Sequence, residues 1–320
     1  MSKVAVIGSG AWGTALALLA LRAGNEAALV ARDAATAATI SQRRENARLP
    51  GVVLPEQLEL HHEIPDAAEL LVWAVPTQHL RGSLHRLGTP TKAMVVCAKG
   101  VEAETQLLPL EVASDVFPDS PLACLTGPNF AREVAIGLPA AAVVASFDVV
   151  LRERVRQMLG TSAFRVYGND DPIGAQLGGA AKNVIAIAAG AVIGAGLGEN
   201  ARAALVTRGL SEVRRLAVAL GGREETVMGL SGLGDLLLTC TGPSSRNFTL
   251  GQALGRGESL DSILGGRTNV TEGVRTAGAL VARAGSLDLP ICRAVADLLA
   301  GTQTIDQIIV KLLARPLKDE

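Results

Sequence analysis

One lysine stands at the head of a long, nearly uncharged run. The stretch "GGAAKNVIAIAAGAVIGAGLG" carries Lys182 and Asn183, and no further charge appears until Glu199. An ammonium taken out of water is costly unless it is paired, so Lys182 must be satisfied or do chemistry. Histidine is the usual proton carrier in hydroxyl chemistry. Here His61, His62, His79 and His85 all lie in the first third of the chain. Between residues 100 and 310 Lys182 is the only lysine, in a chain that otherwise prefers arginine. A lysine in an apolar helix offers an ammonium whose pKa burial can lower, which makes Lys182 the candidate acid–base residue.

Two further patterns carry phosphate chemistry. "VAVIGSGAWGTALALLALRAG" sets Gly8, Gly10 and Gly13 directly after an apolar strand-like run and at the start of a helical one. The first glycine permits a tight turn, the second admits a pyrophosphate to the backbone, and the third allows close strand–helix packing. In this context the spacing predicts dinucleotide binding. The next strand ends "ALVARDA", where NAD-specific sites usually carry an acid; Arg32 comes first, so NADP joins NAD as an expected cofactor and is the favoured one. "TGPSSRNFTLGQAL" places Ser245, Arg246 and Asn247 after a Gly-Pro turn at a helix start, a natural phosphate cradle.

These groups need elements to position them. Apolar runs at 3–7, 26–31, 69–75, 93–98, 122–126, 140–146 and 164–168 alternate with helical segments, predicting a parallel sheet covered on both faces. Beyond about residue 171 the β-rich runs stop, and helical patterning takes over at 174–197 and 201–221. The expected division is 1–172 for the dinucleotide and 173–320 for a helical substrate-binding domain.

Composition narrows the partners. With net charge −1 and 2% aromatic residues, the chain has neither basic blocks nor stacking platforms, so no nucleic acid is expected. Cys97, Cys124, Cys240 and Cys292 lack CxxC spacing, which argues against a metal site and fits a reducing cytoplasm. The start "MSKVAVIG" lacks a secretory pattern. The 14 uncharged residues from Val184 to Leu197 fall short of the roughly 18–20 a membrane span needs, so no insertion is expected.

Taken in order, "GSGAWGTALA", "CAKG", "LTGPNFA", "GAAKNVIAIAAG", "GLSGLGDLLLTCTGPSSRN" and "TEGVRTA" resemble the bacterial-type NAD(P)-dependent glycerol-3-phosphate dehydrogenases, over nearly the whole chain. The resemblance implies an α/β Rossmann-type N-terminal domain with a mostly parallel sheet, followed by an all-α C-terminal domain. It implies a cytoplasmic, usually dimeric enzyme that interconverts dihydroxyacetone phosphate and sn-glycerol 3-phosphate for phospholipid synthesis. Lys182 would exchange the C2-hydroxyl proton. Lys99 in "CAKG" would polarise the substrate carbonyl and add a second positive charge, and Asp235 in "GLGD" would orient the lysine. Ser245, Arg246 and Asn247 would hold substrate, with Arg246 also near the cofactor. Gly127, Asn129 and Ala131 would line both ligands; Ala11, Trp12, Val270 and Glu272 would contact the cofactor. Asn129 departs from the Ser or Thr common at its position, and Ala181 replaces a larger aliphatic residue. The open alternatives are a related two-domain reductase of a carboxylate substrate, such as ketopantoate or 3-hydroxyisobutyrate, and a non-catalytic NAD(P)H-sensing protein.

Overall fold

The computed structural model describes residues 2–87, 91–265 and 271–313. Two compact units emerge. The first holds the chain through Lys99 together with Leu108–Gln176; the second holds Gly100–Leu107 and the chain from Leu177 onward. A short upstream segment, Gly100–Leu107, thus joins the helical unit. That segment is tied there by Arg283, whose Nη1 donates to the Gln106 carbonyl at 3.1 Å. No compositional change marks it.

The first unit runs β1 (Lys3–Ile7), α1 (Ala11–Arg22), β2 (Glu26–Val30), α2 (Ala34–Arg43), β3 (Glu59–His61), β4 (Leu70–Trp73), α3 (Thr77–Leu87), β5 (Ala93–Val96), α4 (Pro109–Val116), β6 (Leu122–Thr126), α5 (Ala131–Ile136), β7 (Ala140–Ala145), α6 (Val149–Leu159) and β8 (Phe164–Asn169). The eight strands form one sheet in the order β3-β2-β1-β4-β5-β6-β7-β8. All neighbours run parallel except β6 and β7. Apolar periodicity carries no direction, which is why the reversed β7 was read as one more parallel strand. The edge strand β3 escaped notice because three residues, "ELH", make no apolar run.

Burial on both faces explains the unbroken apolar strands. On one face Val4, Val6, Leu29, Val72 and Val95 pack with Leu16 and Leu19 of α1 and Leu151 and Val155 of α6. Each fully buried aliphatic side chain contributes about 1.5–3 kcal/mol of transfer free energy, so this layer fixes the strand ends that carry the loops.

The second unit is helical: α7 (Pro172–Gly194, which begins in the first unit), α8 (Gly198–Ala219), α9 (Glu224–Met228), a π-helical turn (Leu230–Gly234), α10 (Asp235–Cys240), α11 (Arg246–Gly255), α12 (Leu260–Gly265), α13 (Glu272–Ala284), α14 (Pro290–Leu299) and α15 (Ile305–Leu313). Glu212 of α8 starts α14 from a distance, its carboxylate accepting from the Ile291 and Cys292 amides at 2.7 and 3.0 Å. Burial pushes its pKa up.

The glycines of α7 are where α11 comes closest. A Cβ at Gly190 would lie 2.0 Å from the Phe248 carbonyl oxygen, and one at Gly251 would lie 1.9 Å from that of Ile187. Neither obstacle is a flexible side-chain end, so the helices would have to separate. Gly251→Ala should therefore cost about 3 kcal/mol, the upper range for overpacking. Thermal melting checks this; an unchanged midpoint would mean the two helices part without strain.

The same small residues correct the span-length argument. At 23 residues, α7 is long and apolar enough to cross a membrane by length and composition, because the helix starts well before Val184. Burial decides the matter instead: 78% of its most apolar window is inside the protein, as for a core helix.

Candidate active site

In the first unit, β1 lies between β2 and β4: the chain runs outward from β1 through β2 to β3 on one side, then crosses over to β4 on the other. At such a switch point the strand ends leave a crevice for ligands. The glycines of the following turn behave differently from one another. Gly8 has φ +109, a conformation that disfavours side chains, and its N–H donates to the Val30 carbonyl at 2.9 Å. A Cβ at Gly13 would lie 1.9 Å from the Gly8 carbonyl oxygen, whereas one at Gly10 would meet nothing within 4 Å. Two glycines are thus demanded by packing, and the middle one leaves open space beside the backbone. Gly10 caps α1 without a side-chain hydrogen bond. A glycine at the cap brings no side chain of its own to the first amides of α1, which suits an anion site at a helix start. This cradle fits a dinucleotide pyrophosphate. Ala11 and Trp12 pack against the core below it. Trp12 also hydrogen-bonds the Cys97 thiol, which burial pushes up to about 12.

Arg32 stands just past β2 with its side chain 87% exposed, its Nε donating to Asp33 at 3.2 Å. Asp33 caps α2 by accepting from the Thr36 amide, and hydrogen bonds from the Thr36 side chain and amide lower its pKa. The carboxylate is thus engaged by its own helix, while the guanidinium reaches into solvent.

Past β5, Lys99 donates to the Gly127 carbonyl at 3.0 Å. Gly127 has φ +128, and a Cβ there would lie 3.1 Å from the backbone of Ala142. Asn129 donates through Nδ2 to Ala141 at 2.9 Å, so the amide that replaces the expected hydroxyl is anchored to β7. Its Oδ1 is buried and has no hydrogen-bond partner among the described residues. A buried acceptor left unsatisfied costs about 1–3 kcal/mol, which a ligand or water donor would recover. Ala131 opens α5 two residues later.

In the second unit the Lys182 ammonium is paired. Lys182 donates to Asp235 Oδ1 at 2.5 Å and to Thr239 Oγ1 at 3.2 Å. The lysine side chain is 11% exposed and the aspartate 1%. Thr239 in turn donates to the Asp235 carbonyl at 2.6 Å. Close backbone packing brings these groups together. A Cβ at Gly178 would lie 2.7 Å from the Ser231 carbonyl oxygen, so the π-helical turn sits against α7, and Asp235 follows it directly. Such turns recur at functional sites. The buried Cys240 thiol beside the pair is pushed up to about 12, burial outweighing the nearby ammonium of Lys182.

Ser245 accepts from the Phe248 amide at 3.2 Å and caps α11. Arg246, the first residue of α11, is exposed. Asn247 is buried; it donates to Asn183 Oδ1 at 2.8 Å and accepts from the Gly273 amide at 3.1 Å. Its amide thus joins α7, α11 and α13. Glu272 opens α13, and Val270 lies outside the described residues.

Sequence reasoning missed Thr239 and passed over Asn183 as a mere neighbour of the lysine. Thr239 was findable, one helical turn after Asp235 and therefore on the same face. Among the described residues no three His, Cys, Asp or Glu side chains are grouped to hold a metal.

A glycine turn at the switch point of a mostly parallel sheet, together with a buried Lys–Asp pair in a helical unit, defines a pyridine-nucleotide-dependent dehydrogenase. The chain belongs to the NAD-dependent glycerol-3-phosphate dehydrogenase family, whose N-terminal model matches residues 3–151 and whose C-terminal model matches residues 171–310. It is 55% identical to the glycerol-3-phosphate dehydrogenase (NAD(P)+) of Acidiphilium cryptum, covering 99% of this chain and 98% of that protein. The protein of the same name from Rhodospirillum rubrum is 50% identical, over 100% of this chain and 94% of its own length. Among solved structures, the glycerol-3-phosphate dehydrogenase of Coxiella burnetii superposes with a TM-score of 0.93 at 33% identity, covering 98% of this chain and 99% of that one.

Proposed function

We propose that this protein interconverts dihydroxyacetone phosphate and sn-glycerol 3-phosphate, supplying glycerophospholipid synthesis from the cytoplasm as a homodimer. The observation that carries the reading is the Lys182–Asp235 pair, 2.5 Å apart and almost out of solvent. Gly8, Gly10, Ala11, Trp12 and Gly13 would hold NADP or NAD, which would supply or accept a hydride at C2 of the substrate.

The chain's own residues do the rest. Lys182 Nζ delivers a proton to the substrate oxygen during reduction and takes it back during oxidation. Asp235 and Thr239 hold that nitrogen in one place, so orientation is settled before substrate arrives. Lys99 and Asn129 offer polar groups to the substrate. Arg246 matches the phosphate with a planar fork of donors at the start of α11, which Ser245 caps, with Asn247 as its neighbour in the substrate cradle. Ala131, Val270 and Glu272 belong to the cofactor's surroundings.

Arg32 is assigned the 2′-phosphate. Arg32→Ala should raise the KM for NADPH about tenfold or more, the loss expected for a hydrogen bond to a charged group, and leave that for NADH nearly unchanged. Equal effects on both cofactors would remove Arg32 from discrimination.

The decisive assay follows NADPH absorbance with dihydroxyacetone phosphate, then repeats it with NADH and with ketopantoate. Oxidation with dihydroxyacetone phosphate alone supports the proposal. Turnover of ketopantoate instead would keep the fold and overturn the substrate.

A further inference from the structure

One buried side chain from outside the glycine turn hydrogen-bonds into it. Asn46, 4% exposed, lies in the loop after α2. Its Nδ2 donates to the Ser9 carbonyl at 3.0 Å and to Thr14 Oγ1 at 2.7 Å. Thr14 passes the contact on, donating to the Gly10 carbonyl at 2.9 Å. Both hydrogens of one amide nitrogen therefore reach the two peptide groups that flank Gly10, one directly and one through the threonine. The other end of the side chain is anchored too, its Oδ1 accepting from the Arg48 amide at 3.0 Å.

A trans peptide is planar, with its C=O and N–H pointing in opposite directions. The Ser9 carbonyl is held toward Asn46, and the Gly10 carbonyl toward Thr14, whose amide donates to it at 3.0 Å alongside the hydroxyl; the Gly10 and Ala11 amides therefore point the opposite way from these carbonyls. Gly10 is the one glycine of the turn with open space beside it. Asn46 is also held in place from several sides. Arg44 donates to the Leu54 and Leu58 carbonyls, each at 3.2 Å, Arg132 of α5 donates to Pro50 at 3.3 Å, and the Gly51 amide donates to Glu45 at 2.9 Å.

We propose that Asn46 is a positioning residue for the cofactor pyrophosphate: it orients the Gly10 and Ala11 amides and so sets dinucleotide affinity without touching the dinucleotide. This rests on the reading of the glycine turn as the NAD(P) site. Only a side chain with two donors on one atom serves here. Aspartate at the same position has nearly the same shape but no N–H, and it would face the Ser9 carbonyl with a negative charge.

Calorimetric titration of Asn46→Asp and Asn46→Ala with NADPH, NADH and ADP-ribose tests this. All three ligands should bind about tenfold more weakly, the loss expected for two hydrogen bonds. At saturating NADPH, kcat and the KM for dihydroxyacetone phosphate should stay within twofold of wild type. A general structural defect would instead lower kcat and the melting temperature without this split. If Asn46→Asp fails to fold, Thr14→Val should still weaken all three ligands, and Thr14→Ser, which keeps the hydroxyl, should bind as wild type. Unchanged affinities in the folded variants overturn the inference, as does loss of kcat at unchanged affinity. If wild type itself binds no dinucleotide, the reading of the turn falls first and this inference falls with it.

Discussion

Lys182→Ala is expected to bind NADPH as wild type does and to lose about 10²- to 10⁴-fold in kcat, the range for removing a positioned acid–base group. The two readouts separate because the dinucleotide turn and the lysine belong to different units of the chain. A complication follows from burial. Asp235 is 1% exposed, so deleting its partner leaves a carboxylate without its cation, and breaking a buried pair costs about 3–5 kcal/mol. The control is the double variant Lys182→Met with Asp235→Asn, which removes both charges and keeps the volume. It should recover most of the lost melting temperature and none of the activity. Stability and catalysis then move independently, as expected if Lys182 acts on the proton. Near-wild-type turnover in either variant would sink the mechanism.

The second large effect is expected at Arg246. It opens α11 as an exposed residue, beside a serine whose hydroxyl already caps the helix. Its loss should therefore leave the fold intact. Arg246→Ala should raise the KM for dihydroxyacetone phosphate about 10- to 100-fold, as for a charge-assisted hydrogen bond to phosphate. Dihydroxyacetone, which lacks the phosphate, is the discriminating substrate. Its already poor kcat/KM should change little in the variant. Arg246→Lys should recover only part of the loss, because a point charge cannot reproduce the bidentate fork. A KM that stays put with the phosphorylated substrate would mean that the phosphate is held elsewhere.

Much of the site could be read from local signals. Gly8, Gly10 and Gly13 announced their turn by spacing; the structure gives Gly8 and Gly13 steric reasons and leaves open space beside Gly10. Lys182 stood out because its charge contradicted its surroundings. Other features gave no local sign. The role of Asn46 depends on a contact to residues 32 and 37 positions away, and the pairing of Lys182 with Asp235 spans 53. Asn247 stands beside Arg246 in the sequence, and its amide bridges Asn183 and Gly273, partners 64 and 26 positions away. Residue type says that an amide needs partners; packing decides which ones.

The sequence by itself determined the alternating strands and helices, the glycine turn at the end of β1, and the presence of a lone ammonium in an apolar helix. Each is written in periodicity, backbone freedom or the cost of burying charge, all of which act over a few residues. The tertiary structure alone decided that β7 runs against its neighbour β6, that Gly100–Leu107 joins the helical unit, and that α7 is a core helix. It also decided that Asp235 and Thr239 meet Lys182. Those outcomes depend on which backbones can approach closely enough to touch, and glycines such as Gly178 and Gly251 permit that approach without saying what will arrive.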